Sequence, residues 1–283
     1  MGIGSAITAL VSGCSGAQVL DHLVAHDTYH GPTGVRYGAD PRHLLDVYQP
    51  DSGTVPGNAP VVLFFYGGNW TRGERAEYRF VGEALAANGI IAVVADYRLS
   101  PHVCYDGFLG DCALALQWTL SHAVSLGGDP ARVMVMGHSA GAYNAAMLAL
   151  DPRWLAPLGL TADRLAGWIG LAGPYDFLPI ENPAVRPVFF WPNSPPQSQP
   201  INHVSRDAPP ALLIAASKDD LVNPTRNTGG LAHKLRAAGV PVQDFYYSRP
   251  NHITLVATLS RPLRGLAPVL DQVVGFIRHT PTQ

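Results

Sequence analysis

Arg132 to Leu150 reads RVMVM-GHSAG-AYNAAMLAL. The first block, Val133 to Met136, is short, apolar and partly β-branched, and Asp-Pro and Gly bound it as they would a buried strand. The last block, Ala140 to Leu150, is rich in Ala, Leu and Met, which favour a helix. Gly137-His138-Ser139-Ala140-Gly141 lies between them, a G-x-S-x-G in a strand–turn–helix setting. The pentapeptide alone is a weak signal, and its setting carries the weight. A serine at so sharp a turn has strained backbone angles, and the flanking glycines remove Cβ atoms that would collide with the neighbouring strand or helix. The hydroxyl is lifted from the sheet edge to the start of a helix, where free N–H groups and a partial positive charge are found. Ser139 is therefore the candidate nucleophile, and the N–H of Ala140 is half of an oxyanion site.

Such a serine needs a base and an acid. Pro210 to Ala216 is a second buried-strand run, and Ser217-Lys218-Asp219-Asp220-Leu221-Val222 follows it. An acid just past the C-terminal end of a parallel strand suits the task. Asp219 or Asp220 fills it, and Asp219, nearer the strand exit, is the expected one. Phe245 to Tyr247 closes the last strand, and Pro250-Asn251-His252 follows as a loop before a helical stretch. Of the 11 histidines, His252 is the one so placed after a strand. It would take the serine proton, and the carboxylate would fix its tautomer.

Val61 to Tyr66 is another strand, and Gly67-Gly68-Asn69-Trp70 follows at once. Glycines there let the backbone approach a substrate carbonyl and aim N–H groups at it. Gly68 or Asn69 would supply the second oxyanion donor, with Gly67 shaping the approach. Trp70 is expected to pack beneath the loop and is a lesser candidate for touching substrate.

Taken together, these stretches resemble the α/β-hydrolase esterases. The branch is the one with an H-G-G-x-W oxyanion loop, which includes feruloyl-esterase-like enzymes and arylformamidases. The order Ser, Asp, His is the one found there. The likeness runs from about Gly34 to the C-terminus. It takes in Leu45-Asp46-Val47-Tyr48-Gln49-Pro50, Tyr66 to Trp70, Asp96-Tyr97-Arg98-Leu99-Ser100-Pro101, the Ser139 turn, Gly173-Pro174-Tyr175-Asp176-Phe177 and both partners of Ser139. One position departs: Tyr66 stands where the family has His, a residue that braces the loop. The resemblance implies a Tyr66 hydroxyl in that bracing role.

Composition agrees with a single globular α/β domain. The chain has 283 residues, 47% hydrophobic and 14% charged, enough for a large core. A net charge of -2 offers no basic field for nucleic acid. No phosphate-binding or dinucleotide-binding glycine motif follows a strand, so no cofactor is expected. His22, His26 and His30 recur every four residues, but Gly31-Pro32 follows and no carboxylate or cysteine completes a ligand set, so no metal is expected. Strands over Leu44–Tyr48, Val61–Tyr66, Ile90–Ala95, Val133–Met136, Trp168–Ala172, Leu212–Ala216 and Val242–Tyr247 alternate with helices. The helices are Glu74–Ala87, Phe108–Leu126, Ala140–Leu150, Pro224–Ala238 and Leu266–Arg278. The alternation predicts a mostly parallel central sheet with helices on both faces.

Between Leu178 and Arg206 the periodicity breaks. The stretch holds seven prolines and the triplet Phe189-Phe190-Trp191. It leaves the sheet on the edge that bears the candidate triad, so residues 178–206 are expected to form a short cap, with Trp70, Phe189, Phe190 and Trp191 as candidate pocket residues. Residues 1–33 read as a signal-like and tether segment, and 34–283 as the catalytic domain. Val11-Ser12-Gly13-Cys14 resembles a bacterial lipobox, behind an apolar run too short to span a membrane. Lipidation at Cys14 would attach the chain to a membrane in the periplasm or at the cell or outer membrane; the alternative is a cytoplasmic protein. Cys104 and Cys112 remain as either a disulfide or two thiols.

The expected activity is hydrolysis of small to medium carboxylic acyl esters, with a small-molecule ester as the binding partner. An arylformamidase-type amide hydrolase shares the loop and is the alternative. The intact Ser/Asp/His set disfavours a non-catalytic binding protein on the same fold.

Overall fold

A computed structural model describes residues 24, 27–51 and 58–281. Cys14 and the rest of the lipobox-like stretch, like His22 and His26, lie outside the described residues. Nine strands among the described residues form the sheet: β1 (Tyr29–His30), β2 (Val35–Arg36), β3 (Leu44–Pro50), β4 (Ala59–Phe65), β5 (Ile91–Ala95), β6 (Gly128–His138), β7 (Gly167–Leu171), β8 (Ala211–Ala216) and β9 (Val242–Tyr247). Their order is β1-β3-β5-β4-β6-β7-β8-β9, with β2 beside β3. β3 runs antiparallel to β5, and every pair from β5 to β9 is parallel. Among the described residues sheet pairing begins at Tyr29, ahead of Gly34, where Tyr29 and His30 lie opposite Pro50 and Gln49.

The central strands are buried along their length. All seven residues of β4 and all five of β5 are buried, which is why they read as continuous apolar runs rather than alternating ones. Among the described residues six α-helices connect or flank the strands: α1 (Arg79–Ala86), α2 (Tyr105–His122), α3 (Ala140–Leu150), α4 (Gly230–Ala237), α5 (His252–Ala257) and α6 (Val269–His279). The connection β4–α1–β5 steps toward one edge, whereas β5–α2–β6 and β6–α3–β7 step toward the other. Right-handed crossovers then place α1 on the face opposite α2 and α3. Accordingly α1 packs on β3 and β5, while α2 packs on α3, and α3 on β6 and β7. α3 is buried on every side, as its apolar circumference requires. The reversal of direction at β4 is a switch point, and ligands of open α/β sheets bind outside the strand ends there.

Several expected helices begin differently. Arg75–Tyr78 forms a 3₁₀ turn before α1. The Arg75 backbone N–H donates to Asp96 Oδ1 at 2.7 Å, and its guanidinium pairs with Asp46 and Asp96, which ties the turn to the sheet. α2 starts at Tyr105 and stops at His122, so the last residues of the expected Phe108–Leu126 helix form a turn instead. Thr225–Gly229 is a π turn ahead of α4. There Asn227 Oδ1 accepts from the N–H groups of Tyr175 and Asp176, an inward bond bought by the widened turn. Arg261–Leu266 is a separate 3₁₀ turn, because Pro268 holds Ala267 extended (φ -162°) and α6 starts only after it. Residues 178–206 contain three 3₁₀ turns, at Arg186–Phe189, Pro196–Ser198 and Pro200–His203. Cys104 and Cys112 are free thiols, the second fully buried. Among the described residues no helix is long and apolar enough to cross a membrane.

Candidate active site

Ser139 stands between β6 and α3 at φ 53° and ψ -120°, a strained conformation for a residue with a side chain. Close approach explains both glycines of the turn. A Cβ on Gly141 would fall 2.0 Å from the Phe65 carbonyl oxygen, and one on Gly137 would fall 2.1 Å from the Gly141 carbonyl oxygen. α3 is thereby pressed against the end of β4. The N–H of Ala140, at the start of α3, finds no acceptor among the described residues.

Two further strand ends deliver the candidate partners. His252 follows β9 and Asp219 follows β8. His252 Nε2 lies 2.8 Å from Ser139 Oγ, and His252 Nδ1 lies 2.7 Å from Asp219 Oδ2. The carboxylate partner fixes the tautomer: Nδ1 carries the proton and donates it, leaving Nε2 to accept from the serine hydroxyl. Asp219 Oδ1 accepts from the backbone N–H groups of Leu221 and Val222, each at 2.9 Å. Burial alone would push the Asp219 carboxyl up. The bonds from His252 and from those two N–H groups outweigh it and hold the carboxyl below its ordinary range. Asp220 is exposed, and the carboxylate that His252 meets is that of Asp219. His252 is not a loop residue as read from the sequence: it is the first residue of α5. Asn251 caps that helix, accepting from the N–H groups of Ile253 and Thr254, while Thr254 Oγ1 accepts from the Asn251 N–H.

Gly67 lies over the serine, so that a Cβ there would be 3.0 Å from Ser139 Cβ. The loop after it runs through left-handed backbone at Gly68, Asn69 and Trp70, with φ of 128°, 54° and 58°. Among the described residues no acceptor takes the N–H of Gly68 or Asn69, so both are free to meet an anion, as is Ala140. The loop is held from below. Tyr66 OH donates to Asp96 Oδ1 at 2.9 Å and accepts from Arg42 at 2.8 Å. Tyr97 OH donates to the Tyr66 carbonyl, and Ser100 N–H to the Trp70 carbonyl. Burial, reinforced by the Asp96 charge, raises the Tyr66 phenol well above its ordinary value and keeps it a neutral donor. Tyr66 thus anchors the loop through its hydroxyl.

A cavity of about 270 Å³ opens beside the loop, lined by Asn69, Trp70, Phe177, Ile180, Val185 and Val222 among others. Of the four candidate pocket aromatics, Trp70 alone lines it. Trp70 is at the same time structural: its indole N–H donates to Asn144, and its ring meets Phe108, Tyr143, Phe177 and Phe189. Phe189 is buried in that aromatic cluster rather than facing the cavity. Phe190 has left-handed backbone (φ 57°), which turns the chain outward. Phe190 and Trp191 are exposed, and the Arg186 guanidinium covers the Trp191 ring. The cavity wall comes instead from the first part of 178–206 and from the turn after Asp219.

Sequence reading missed Arg42, Asn144, Asn227 and the Asn251 cap. The Asn251-x-x-Thr254 spacing is a capping signal and was legible. The others act through side chains distant in sequence, for which no local pattern exists.

A family model described as BD-FAE matches residues 45–157. The chain is 32% identical to esterase LipC of Mycobacterium tuberculosis over 75% of its own length and 57% of that protein. It is 30% identical to esterase LipQ of the same organism, over 93% of its own length and 67% of LipQ. The solved structure of a truncated carbohydrate esterase from gut microbiota superposes with a TM-score of 0.78 at 19% identity, covering 92% of this chain and 99% of that one. The chain spans little more than half the length of the first curated relatives that it matches. With the mostly parallel sheet, the Ser139 turn and a relative matched at this identity over two thirds of its length, the chain belongs to the α/β-hydrolase family of serine esterases.

Proposed function

We propose that the chain is a carboxylic ester hydrolase acting on small to medium acyl esters through an acyl-enzyme. Ser139 Oγ attacks the ester carbonyl while His252 Nε2 takes its proton. The new C–O bond makes a tetrahedral oxyanion, which the N–H groups of Ala140 and of Gly68 or Asn69 stabilise. Collapse breaks the bond to the alkoxide, which leaves with the proton from His252. Water then attacks the acyl-enzyme with His252 again as base, releasing the acid and restoring Ser139 Oγ–H. Asp219 remains ionised and stabilises the imidazolium. The cavity beside Asn69 receives part of the ester. The relay of short hydrogen bonds from Asp219 through His252 to Ser139 carries the reading.

The test is a panel of p-nitrophenyl esters of increasing chain length, run beside N-formylkynurenine and methyl ferulate. We expect turnover of short to medium esters and none of the formamide, which has a poorer leaving group. Ser139→Ala should lower kcat by more than about 10⁴-fold and abolish fluorophosphonate labelling. Preference for the formamide by kcat/KM would replace the ester by an amide substrate. Labelling that persists in the variant would remove Ser139 from the role.

A further inference from the structure

His138, the residue between Gly137 and Ser139, is buried, and the reaction just described does not use it. Its Nε2 lies 2.9 Å from the backbone carbonyl oxygen of His252. A carbonyl only accepts, so Nε2 carries the proton and donates it. Nδ1 is then left with a lone pair, and it has no hydrogen-bond partner among the described residues. The two imidazoles stand 5.2 Å apart between ring centroids. Gly67 presses on the same ring: a Cβ there would fall 3.1 Å from His138 Nδ1.

The connection has mechanical content. His252 opens a six-residue helix after the β9 loop, and no strand ladder ties it to β6. Its side chain nevertheless meets Ser139 at 2.8 Å. His138 and Ser139 are adjacent, so a bond from the His138 ring to the His252 main chain closes a short circuit. That circuit runs from the serine backbone through His138 to the backbone of the base. It limits how far His252 can drift from Ser139. We propose that His138 is a positioning residue, which fixes the His252 imidazole against Ser139 by holding the His252 main chain. The donor must also be neutral, because a charge at this distance would oppose the imidazolium that His252 becomes. Burial, and next the neighbouring His252, lower the His138 pKa to about 3, which keeps the ring neutral.

The inference rests on the assignment of Ser139 and His252. The test compares His138→Gln, whose amide N–H reaches the place of Nε2, with His138→Asn, whose amide is too short, and His138→Leu, which has no donor. Turnover of p-nitrophenyl acetate, the rate of inactivation by a fluorophosphonate, and the melting temperature are measured for each. Misplacing a base by about 1 Å costs about 10²-fold, so the Asn and Leu variants should lose ten- to hundredfold in kcat, with KM within about twofold. Inactivation should slow in parallel, and the Gln variant should recover most of both rates. A Gln variant as slow as the Asn variant overturns the proposal, and so does an Asn or Leu variant as fast as wild type. A loss carried by KM alone also overturns it. Should the Asn variant fail to fold, the Leu and Gln pair decides. Ser139→Ala is run alongside. If it keeps turnover and label, the assignment of the site fails. If it is inert while His138→Asn is fast, the assignment stands and only the role of His138 fails.

Discussion

Asp219 shows how one carboxylate serves two neighbours. Oδ2 holds the His252 ring, and Oδ1 accepts the two N–H groups of the turn that begins at Leu221. The turn therefore aims the carboxylate before any substrate arrives. Asp219→Asn removes the charge and leaves His252 without a proper acceptor at Nδ1, so the ring spends its time in the wrong tautomer. Turnover should fall by orders of magnitude, up to about 10⁴-fold, whereas Asp220→Asn should stay within about twofold of wild type. Steady-state kinetics on a p-nitrophenyl ester read both, and the reverse ranking would move the role to Asp220. At this scale much of the candidate site was legible in the sequence. Ser139, Asp219 and His252 each follow a strand, and their order in the chain narrowed the choice. His138 was not legible as a contributor. It was visible as the second residue of the motif, but its bond to the His252 carbonyl joins positions 114 residues apart, on a helix whose placement only the fold determines.

Elements explain how far these residues can be trusted to stay in place. β6 and α3 grip Ser139 through two glycine contacts, and the Gly67 loop is pinned by Tyr66, Asp96 and Arg42. α5 is the shortest α-helix among the described residues, six residues long and capped by Asn251. Asn251→Ala removes the side chain that accepts from Ile253 and Thr254, which should cost about 1 kcal/mol and lower the melting temperature by about 2–4 °C. Because His252 is the next residue, kcat should fall more than tenfold while global stability changes little. Calorimetry beside kinetics checks the pair of outcomes, and an unchanged kcat at reduced stability would show that α5 holds His252 without its cap. The central strands were legible because buried parallel strands are continuous apolar runs. Helix beginnings were less so. Arg75, Asn227 and Pro268 each change the first turn of a helix through a tertiary bond or a backbone restriction. The aromatic triplet was misplaced for a related reason: composition marks Phe189, Phe190 and Trp191 as apolar but not which way each points, and that depends on the left-handed residue at Phe190.

The whole molecule gathers its candidate site from the ends of β4, β6, β8 and β9, so its stability and its chemistry share buried ionisable groups. Two of them shift in ways that set a pH dependence. His138 has its folded pKa lowered to about 3 from an ordinary 6.5, so below pH 6.5 the unfolded chain binds a proton that the folded chain refuses. Stability from this residue is present in full above pH 6.5 and declines as pH falls toward 3, by up to about 1.4 kcal/mol per unit. Asp219 is also held below its ordinary 3.8, but its contribution begins to be lost only as pH falls through that value and on toward the folded one. The two windows therefore open apart, at pH 6.5 and 3.8, with His138 acting first on acidification. The groups facing the His138 ring are His252 and Asp219, and both are absent from the unfolded reference. Between pH 7 and pH 5, wild type should lose about 2 kcal/mol through His138, read as a drop in the urea midpoint. His138→Gln should flatten that drop, since glutamine takes up no proton. Urea titrations at pH 7, 6 and 5 on the two proteins measure it. An equally steep fall in the glutamine variant would mean that His138 is protonated in the folded state at these pH values, and a charged ring there is incompatible with a neutral donor beside the His252 imidazolium.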